Sequence, residues 1–356
     1  MSSADAGAVI VALGGVDRGP GSLKIDIGHG DVLVGRSTRG DRHERRTDPA
    51  GTDHENSHAV KVHSGPQANY RRRMRPERPL AERLSGSSPV LMPGVWDPLS
   101  ALLAVQSGFD TLFVSGFAVS ASLLGEPDHG ILSQREMAEV AARIGARLNR
   151  IEAPVDLIVD ADTGYGDASD IRQTVELWES AGATGLFLED QVWPKRCGHM
   201  EGKQVVSTGE WLDRLGVVLE HRERLFVCAR TDARAPLGLH EAIERGRAAR
   251  DLGVDAVFVE APQSIDELRA IAEGIAEVPL VANMVEGGRT PLLTPDELAD
   301  LGFSLIVSPL SGLLAVSAAL SASFDHLGGE GTLRDRLDAL TGFDEFVDLV
   351  TDTTGA

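Results

Sequence analysis

The sequence predicts an α/β protein built as a closed (β/α)8 barrel, the TIM barrel fold. From residue 89 onward, apolar runs of four to seven residues alternate with helical stretches of 10 to 16 residues. Eight such runs occur within about 240 residues, which is the size of this barrel. A doubly wound open sheet is the alternative, but it normally has fewer strands and a glycine-rich nucleotide loop, and the sequence contains neither Gly-x-Gly-x-x-Gly nor a Walker loop.

The elements follow one another in a regular order. The predicted strands are residues 90–93, 111–115, 156–160, 185–189, 225–230, 256–260, 280–283 and 304–307. Amphipathic segments lie between them, among them 133–148, 168–181, 239–252 and 294–301, and several begin after a Ser, Thr or Asp that can cap a helix. Gly182, Gly253 and Gly302 close three of these segments, as expected of glycines that end helices with positive φ.

The first 80 residues differ in composition from the rest. They are rich in Gly, Arg, Asp and His, and we expect a low-complexity, disordered N-terminal extension over 1–80 followed by a catalytic barrel over 81–356. The run Arg71-Arg72-Arg73 is interpreted as a solvated charge run rather than a handle for an anionic surface. Met74 is a candidate start of translation, in which case residues 1–73 would not belong to the natural protein.

Composition narrows the function classes. A formal charge of -20 argues against a nucleic-acid partner, which needs clustered Lys and Arg. No run of about 18 apolar residues exists, so no membrane span is predicted and a cytoplasmic location is expected. The two cysteines, Cys197 in a polar loop and Cys228 in an apolar run, imply no disulfide framework.

Polar residues follow almost every predicted strand. In a barrel the C-terminal ends of the strands meet at one mouth, so these residues become neighbours. They are Ser115, Asp160, Asp162, Glu189, Asp190, Arg230, Asp232, Glu260, Asn283, Glu286 and Ser308. So many carboxylates need a counter-ion, and oxygen ligands suit Mg²⁺ or Mn²⁺. Asp160-Ala161-Asp162 places two carboxylates on one side of an extended chain, as expected for a metal-binding pair.

The loop from Glu189 to His199 holds a carboxylate pair, two cations, a thiol and an imidazole in eleven residues. A surface salt-bridge cluster would explain each residue singly, but the position at a strand end favours a site for a polyanionic substrate or metal. Lys195, Arg196 and Arg230 are the predicted partners of substrate carboxylates, and Cys197 is a candidate proton donor or nucleophile. Zinc on Cys197 and His199 is not favoured, because no second ligand pair has the required spacing.

Four blocks occur in an order that resembles a known family. They are residues 159–166, 189–199, 229–233 and 282–288, which read VDADTGYG, EDQVWPKRCGH, ARTDA and ANMVEGG. Over about residues 80–345 the chain resembles the isocitrate lyase/phosphoenolpyruvate mutase superfamily. Within it the chain is similar to the petal death protein and 2,3-dimethylmalate lyase type, and also to carboxyvinyl-carboxyphosphonate phosphorylmutases.

The resemblance implies a Mg²⁺-dependent barrel whose eighth helix is exchanged with a neighbour, in a tetramer of two swapped dimers. It implies metal binding by Asp160 and Asp162, with Glu189 and Asp128 in the water shell of the ion. The mobile gate over the mouth would be residues 195–199.

The same resemblance implies roles in catalysis and substrate binding. Cys197 would protonate the enolate released by carbon–carbon cleavage. The residues that would hold substrate oxygens or complete the hydrogen-bond network are Ser115, Gly116, Arg230, Asn283, Glu260 and His199.

The function implied is a retro-aldol split of a small 2-hydroxy dicarboxylate, such as a 2-alkylmalate or a methylisocitrate-like compound. Two alternatives stay open: a phosphonomutase acting on a phosphonopyruvate-like compound, since some phosphonomutase relatives retain the cysteine-bearing loop, and an oxaloacetate hydrolase. A non-catalytic binding or structural barrel would be expected to lack Asp160 or Cys197.

The sequence departs from the family pattern at three places. Phe113 replaces a tyrosine of methylisocitrate-type lyases, which leaves the catalytic base unassigned. Phe117 after Gly116 replaces a second glycine and should favour a small alkyl-bearing substrate over a tricarboxylate. Pro309 stands where oxaloacetate-hydrolysing members tend to carry serine, which counts against that activity.

Overall fold

The computed structural model describes residues 80–351 except 85, 87, 152–154 and 199–201. Eight parallel strands form a closed barrel in sequence order, and β8 pairs with β1. The strands are β1 Val90–Val95, β2 Thr111–Val114, β3 Asp156–Asp160, β4 Gly185–Glu189, β5 Phe226–Thr231, β6 Ala256–Val259, β7 Leu280–Asn283 and β8 Leu305–Ser308. The predicted TIM barrel is therefore confirmed, with strand ends that differ from the prediction by two residues at most.

Helices connect and surround the strands. They are α1 Leu80–Arg83, α2 Pro98–Gln106, α3 Gly116–Val119, α4 Gln134–Arg150, α5 Ala168–Ser180, α6 Thr208–His221, α7 Arg234–Leu237, α8 Leu239–Leu252, α9 Ile265–Gly274, α10 Pro295–Asp300, α11 Ser311–Glu330 and α12 Phe343–Thr351. A π-helix spans Ser120–Leu124, and a 3₁₀-helix spans Arg334–Ala339. Capping boxes begin α4 and α5, where Ser133 and Asp167 accept hydrogen bonds from backbone N–H groups of the first turn.

The core has two parts. The larger cluster contains the apolar faces of helices such as α4 and α5 packed on the outer side chains of the strands. The smaller cluster fills the barrel interior with alternate strand residues, including Phe113, Phe187, Phe258 and Cys228. Cys228 is fully buried in this cluster, and burial raises the pKa of its thiol well above the usual value.

Helix α1 closes the N-terminal end of the barrel. Leu80 and the following Leu84 are buried in the interior cluster. Between them Arg83 donates to Asp110 Oδ1 at 2.9 Å and to Thr111 Oγ1 at 3.0 Å, and it also pairs with Asp156. The predicted extension before Leu80 lies outside the described residues.

The C-terminal helices are exposed in this single chain. Helix α11 contains no buried residue, and Leu314, Leu320 and Phe324 on it are 44%, 47% and 64% exposed. Helix α12 contacts α2 and buries Leu349. Within the described segments, no helix is both long enough and apolar enough to cross a membrane.

Candidate active site

Side chains along each strand alternate between the two faces of the sheet, and this alternation determines which of them point into the mouth of the barrel. Seven of the residues predicted for the site lie two positions after a residue of the interior core, so both members of each pair point inward. The mouth residues are Ser115, Asp160, Glu189, Arg230, Glu260, Asn283 and Pro309, and the core residues before them are Phe113, Ile158, Phe187, Cys228, Phe258, Val281 and Val307. Seven sequence-predicted residues are thereby brought together above one apolar floor.

Arg230 stands at the centre of the carboxylates. Its Cα is the register partner of Glu189 on the neighbouring strand, and the Nε to Glu189 Oε2 distance is 3.5 Å. Its guanidinium also donates to Asp232 Oδ2 at 2.9 Å and lies 3.1 Å from Glu260 Oε2. The pKa of Arg230 is raised well above its usual value, because these carboxylates outweigh the lowering effect of burial. Three acidic groups thus fix the Arg230 guanidinium in place, and one of them, Asp232, lies only two residues after Arg230 in the chain.

Asp160 and Asp162 face the start of α3. Ser115 caps this short helix by accepting a hydrogen bond from Ala118 N at 3.3 Å, and Gly116 follows it. A Cβ atom on Gly116 would lie 2.9 Å from Asp160 Oδ2 and 3.7 Å from Asp162 Oδ1. Glycine at this position therefore leaves the space that both carboxylates face.

Lys195 lies between two of the predicted metal ligands. Its side chain is 2% exposed, and its Nζ is 2.7 Å from both Asp128 Oδ2 and Asp162 Oδ1. Burial raises the pKa of Asp162 to about 7, with Lys195 opposing the rise and Asp160 and Asp128 adding to it. Lys195 keeps its charge, since these acids raise its pKa more than burial lowers it. We predicted Lys195 as a partner of substrate carboxylates, whereas here its charge balances the acidic cluster.

The acidic cluster fits a divalent cation in its donor chemistry. Both side-chain oxygens of Glu189 are buried and have no hydrogen-bond partner among the described residues, and burial raises the pKa of this carboxyl well above its usual range despite Arg230. Asp160 and Asp162 add oxygen donors, and both carboxylates face the space beside Gly116. Across the described residues, however, no three acidic, histidine or cysteine side chains converge as a ready ligand set. Lys195 supplies the positive charge in this arrangement.

The segment after β4 forms a loop that closes over the mouth. Residues 190–192 and 204–206 pair at its neck, through an antiparallel bridge between Gln191 and Val205. The Gln191 side chain holds the loop from inside, accepting from Arg196 N at 3.0 Å and donating to Arg196 O at 2.8 Å. Residues 195–198 of the predicted gate are described. Arg196 is exposed, and His199 lies outside the described residues.

The gate is held shut by the loop that follows the π-helix. Cys197 N donates to Asp128 O at 3.1 Å, and Lys195 pairs with the side chain of the same aspartate. Gly130 packs so tightly that a Cβ atom on it would lie 2.9 Å from Lys195 N. A Cβ on Gly198 would come within 2.4 Å of the Glu260 carboxyl group, so the gate also contacts the far wall.

A small cavity of about 40 Å³ remains beneath the gate. Its polar side is formed by Ser115, Asp128, Asp160, Arg230, Glu260 and Asn283, and Cys197 and Gly198 form its roof. Its apolar side includes Phe117, Val285, Pro309 and Leu310. The cavity therefore presents charged and polar groups on one side and apolar side chains on the other.

Two residues near the gate were not predicted. Lys203 is buried and bridges Gly198 O and Asp232, and Tyr165 has a buried hydroxyl with no hydrogen-bond partner in the described part of the chain. Tyr165 packs between Trp178 and Trp193, with ring centroids 6.0 Å away on each side. The sequence signal available for Lys203 was its position as a lone lysine in the segment that returns from an acidic loop. No sequence signal indicated the positive φ of Tyr165.

A TIM barrel with an acidic mouth and a cysteine-bearing gate defines an enzyme of the lyase and mutase class. The sequence matches the phosphoenolpyruvate phosphomutase family over residues 80–327, and the chain belongs to this family, within the isocitrate lyase/phosphoenolpyruvate mutase superfamily. The predicted membership and the predicted carbon–carbon lyase type of enzyme are both confirmed.

Three relatives illustrate this membership. The petal death protein of Dianthus caryophyllus is 44% identical over 73% of this chain and 81% of its own length. The chloroplastic carboxyvinyl-carboxyphosphonate phosphorylmutase of Arabidopsis thaliana is 46% identical, over 73% and 77% respectively. The 2,3-dimethylmalate lyase of Eubacterium barkeri is 39% identical, over 76% and 92%.

Solved structures share the architecture. An oxaloacetate acetylhydrolase with the inhibitor 3,3-difluorooxalacetate has a TM-score of 0.71 at 36% identity, covering 76% of this chain and 91% of that one. A phosphonopyruvate hydrolase complexed with oxalate and Mg²⁺ has a TM-score of 0.68 at 29% identity, covering 77% and 94%. The superfamily thus includes Mg²⁺-containing members that act on several small carboxylates.

Proposed function

We propose that the protein is a Mg²⁺-dependent lyase that cleaves a small 2-hydroxy dicarboxylate of the 2-alkylmalate or methylisocitrate-like type into a 2-oxo acid and a second carboxylate. The observation that carries this proposal is the cavity beneath the gate, because it joins Arg230 and other polar groups, the thiol of Cys197 and an apolar wall in one small space. Phe117 and Pro309 in that wall favour an alkyl substituent over a third carboxylate.

Arg230 is the proposed anchor for a substrate carboxylate. Its guanidinium is held by Asp232, Glu189 and Glu260, so its position is fixed before substrate arrives. Asn283 donates to Glu260 Oε2 at 3.2 Å and extends the same polar wall toward the cavity. Ser115 lines the cavity, and Gly116 next to it adjoins Asp160; their proposed role is to hold further substrate oxygens.

Cys197 is the proposed proton donor. A general base, to which no residue is assigned, accepts the proton of the C2 hydroxyl; the bond between C2 and C3 then breaks as C2 becomes the 2-oxo carbon, and the electron pair of that bond passes to C3 next to its carboxylate. The thiol of Cys197 then transfers its proton to C3 and becomes a thiolate. The gate positions this thiol in the roof of the cavity and, while shut, excludes water from the carbanion.

Asp160 and Asp162 are the proposed metal ligands, with Glu189 and Asp128 in the water shell. Mg²⁺, or Mn²⁺, would supply Lewis-acid polarisation of the substrate oxygens when bound. Lys195 Nζ contacts Asp162 Oδ1 at 2.7 Å, so this lysine and the cation would share one carboxylate group. Arg196 and His199 complete the proposed gate.

An assay of 2-oxo acid release tests the proposal. Purified protein with Mg²⁺ would be coupled to lactate dehydrogenase and offered 2-methylmalate, 2,3-dimethylmalate, 2-methylisocitrate, isocitrate and oxaloacetate. Pyruvate release from an alkylmalate that stops on addition of chelator is the expected result. No release from any of the five would contradict the lyase proposal.

A phosphorus–carbon activity is the second candidate. It is supported by the 46% identity to a carboxyvinyl-carboxyphosphonate phosphorylmutase. Phosphorus NMR of the protein with phosphonopyruvate separates the two functions, because only this candidate forms a new phosphorus species. Oxaloacetate hydrolysis is the third, and Pro309 in the cavity wall counts against it.

We further propose that the protein is a tetramer of two dimers that exchange α11. The support is the apolar character of this helix together with its lack of any buried residue in one chain. Light scattering coupled to gel filtration should give four chains per particle, and a monomer would contradict the proposal. We also propose that the protein is located in the cytoplasm.

A further inference from the structure

We propose that Lys203 is a positioning residue that couples closure of the gate to the placement of Arg230. It lies in the return limb of the gate loop, close to the neck, and is 6% exposed. The inference rests on the proposed function in one respect, namely that Arg230 holds a carboxylate of the substrate.

One end of the coupling is a contact with the gate. Lys203 Nζ donates to the backbone carbonyl of Gly198 at 2.5 Å. Gly198 lies directly after Cys197 and packs against Glu260. An ammonium group buried at this distance from a carbonyl forms a charge-assisted hydrogen bond. Opening the gate removes this acceptor and leaves a buried cation with one partner fewer among the described residues.

The other end is a contact with the carboxylate that orients Arg230. Lys203 Nζ donates to Asp232 Oδ1 at 2.7 Å, and the same oxygen accepts from Arg230 Nη2 at 3.3 Å. The second oxygen, Asp232 Oδ2, accepts from Arg230 Nε at 2.9 Å. Two cations therefore share one carboxylate, and the position of the lysine determines how strongly that carboxylate holds the arginine.

Asp232 itself is a rigid support. It is fully buried, and its backbone N–H donates to Asp190 Oδ1 at 2.8 Å. Asp190 is fixed in turn by Thr231 Oγ1 at 2.6 Å and by Arg245 Nη1 at 2.9 Å. Because these hydrogen bonds fix Asp232, it cannot move with the gate. A movement of Lys203 therefore changes the distance between Lys203 and Asp232.

The ammonium group of Lys203 thus contacts both the gate, at Gly198 O, and Asp232, the carboxylate that orients Arg230. With the gate shut, Lys203 draws part of the negative charge of Asp232 and leaves Arg230 able to bind an anion in the cavity. With Lys203 absent, Asp232 and Glu260 hold the guanidinium more strongly and the gate loses an anchor. The two effects should appear together in one variant.

The test compares Lys203→Met with Arg214→Met in the full-length protein. Arg214 is the matched control, because it donates to Gln191 O at 3.3 Å on the same neck but pairs with Glu210 at the surface. The first readout is the rate of tryptic cleavage after Arg196, scored by mass spectrometry, which needs no substrate. The second is protection from this cleavage by oxalate with Mg²⁺ as the anion probe.

For Lys203→Met we expect cleavage about tenfold faster than in the wild type, and a concentration of oxalate for half-protection raised about tenfold or more. Arg214→Met should match the wild type in both readouts. Wild-type cleavage of Lys203→Met, unchanged protection by oxalate, or equal effects in Arg214→Met would each overturn the proposal.

A second variant covers the case in which Lys203→Met does not fold. Asp232→Asn keeps the shape of the side chain and removes the charge that anchors Lys203, so it should speed cleavage as well, while Arg230, released from this carboxylate, should bind oxalate no more weakly than in the wild type. In the double variant cleavage should be no faster than in the faster single variant, because both substitutions act on cleavage through one contact. Additive effects on cleavage would overturn the coupling. Turnover decides the proposed function separately, since a protein with coupled readouts and no lyase activity would refute the function alone.

Discussion

Replacing Gly130 with alanine should keep the gate from closing fully. Gly130 has φ of +70°, and the Cβ of an alanine there would stand 2.9 Å from Lys195 N and 3.4 Å from Lys195 O. These neighbours are backbone atoms of the gate, so they cannot turn aside as a flexible side chain would. Gly125 in the same loop is a matched control, with φ of +68° and no atom within 4 Å of its Cβ position.

The two substitutions separate backbone strain from contact with the gate. Each places alanine in the left-handed region, which costs about 1–2 kcal/mol. Only Gly130→Ala adds overpacking against the gate, which typically costs about 1–3 kcal/mol. If this second cost falls on the closed state alone, the closed fraction and kcat/KM should fall about 5-fold to 150-fold below those of Gly125→Ala.

The assay is kcat/KM for the best alkylmalate substrate, with thermal unfolding of both variants as the control for strain. Similar melting temperatures with unequal kcat/KM are the expected result. Equal kcat/KM in Gly125→Ala and Gly130→Ala would refute the view that Gly130 is required for gate closure.

Three further outcomes are expected. Cys197→Ser should lower kcat about 100-fold or more while Mg²⁺ still raises the melting temperature, because proton transfer is lost and the metal ligands remain; unchanged turnover would exclude this thiol from catalysis. Asp160→Ala should abolish activity and the Mg²⁺-dependent rise in melting temperature together, and a variant that still works with Mg²⁺ would show that the metal site lies elsewhere. Glu267→Gln should lower the free energy of unfolding by less than about 1 kcal/mol at pH 7. The hydrogen bonds from Arg234 lower the pKa of the Glu267 carboxyl group, which is partly exposed, so the charged form contributes only modestly to stability. That loss should shrink below about pH 4.3 as wild-type Glu267 protonates, and urea unfolding that shows the same loss at both pH values would contradict it.

The barrel was predictable because its signals are local. A strand such as β3 is a run of apolar residues that ends in a carboxylate, and glycines such as Gly253 mark helix ends. The period of two along each strand then places Asp160 and Arg230 at the same mouth without knowledge of any contact. The set of residues that reach the mouth therefore follows from the barrel topology and the alternation along its strands.

The partners inside the site were not predictable in this way. Lys195 and Asp128 are separated by 67 positions, and nothing in either segment specifies that they meet. Lys203 and Asp232 are 29 positions apart, and their contact depends on how the loop after β4 folds back on itself. Such pairs depend on loop conformation, which sequence periodicity does not encode.

The closure of the barrel by α1 at its N-terminal end has a consequence for evolution. Leu80, Arg83 and Leu84 seal the end of the barrel opposite the mouth, so the residues that secure the fold and those that bind substrate do not compete for the same positions. A substitution such as one at Phe117 or Pro309 can alter the cavity while the sealed base keeps the barrel folded. New substrate preferences can therefore arise by few substitutions, which fits a superfamily whose members differ in chemistry and share one barrel.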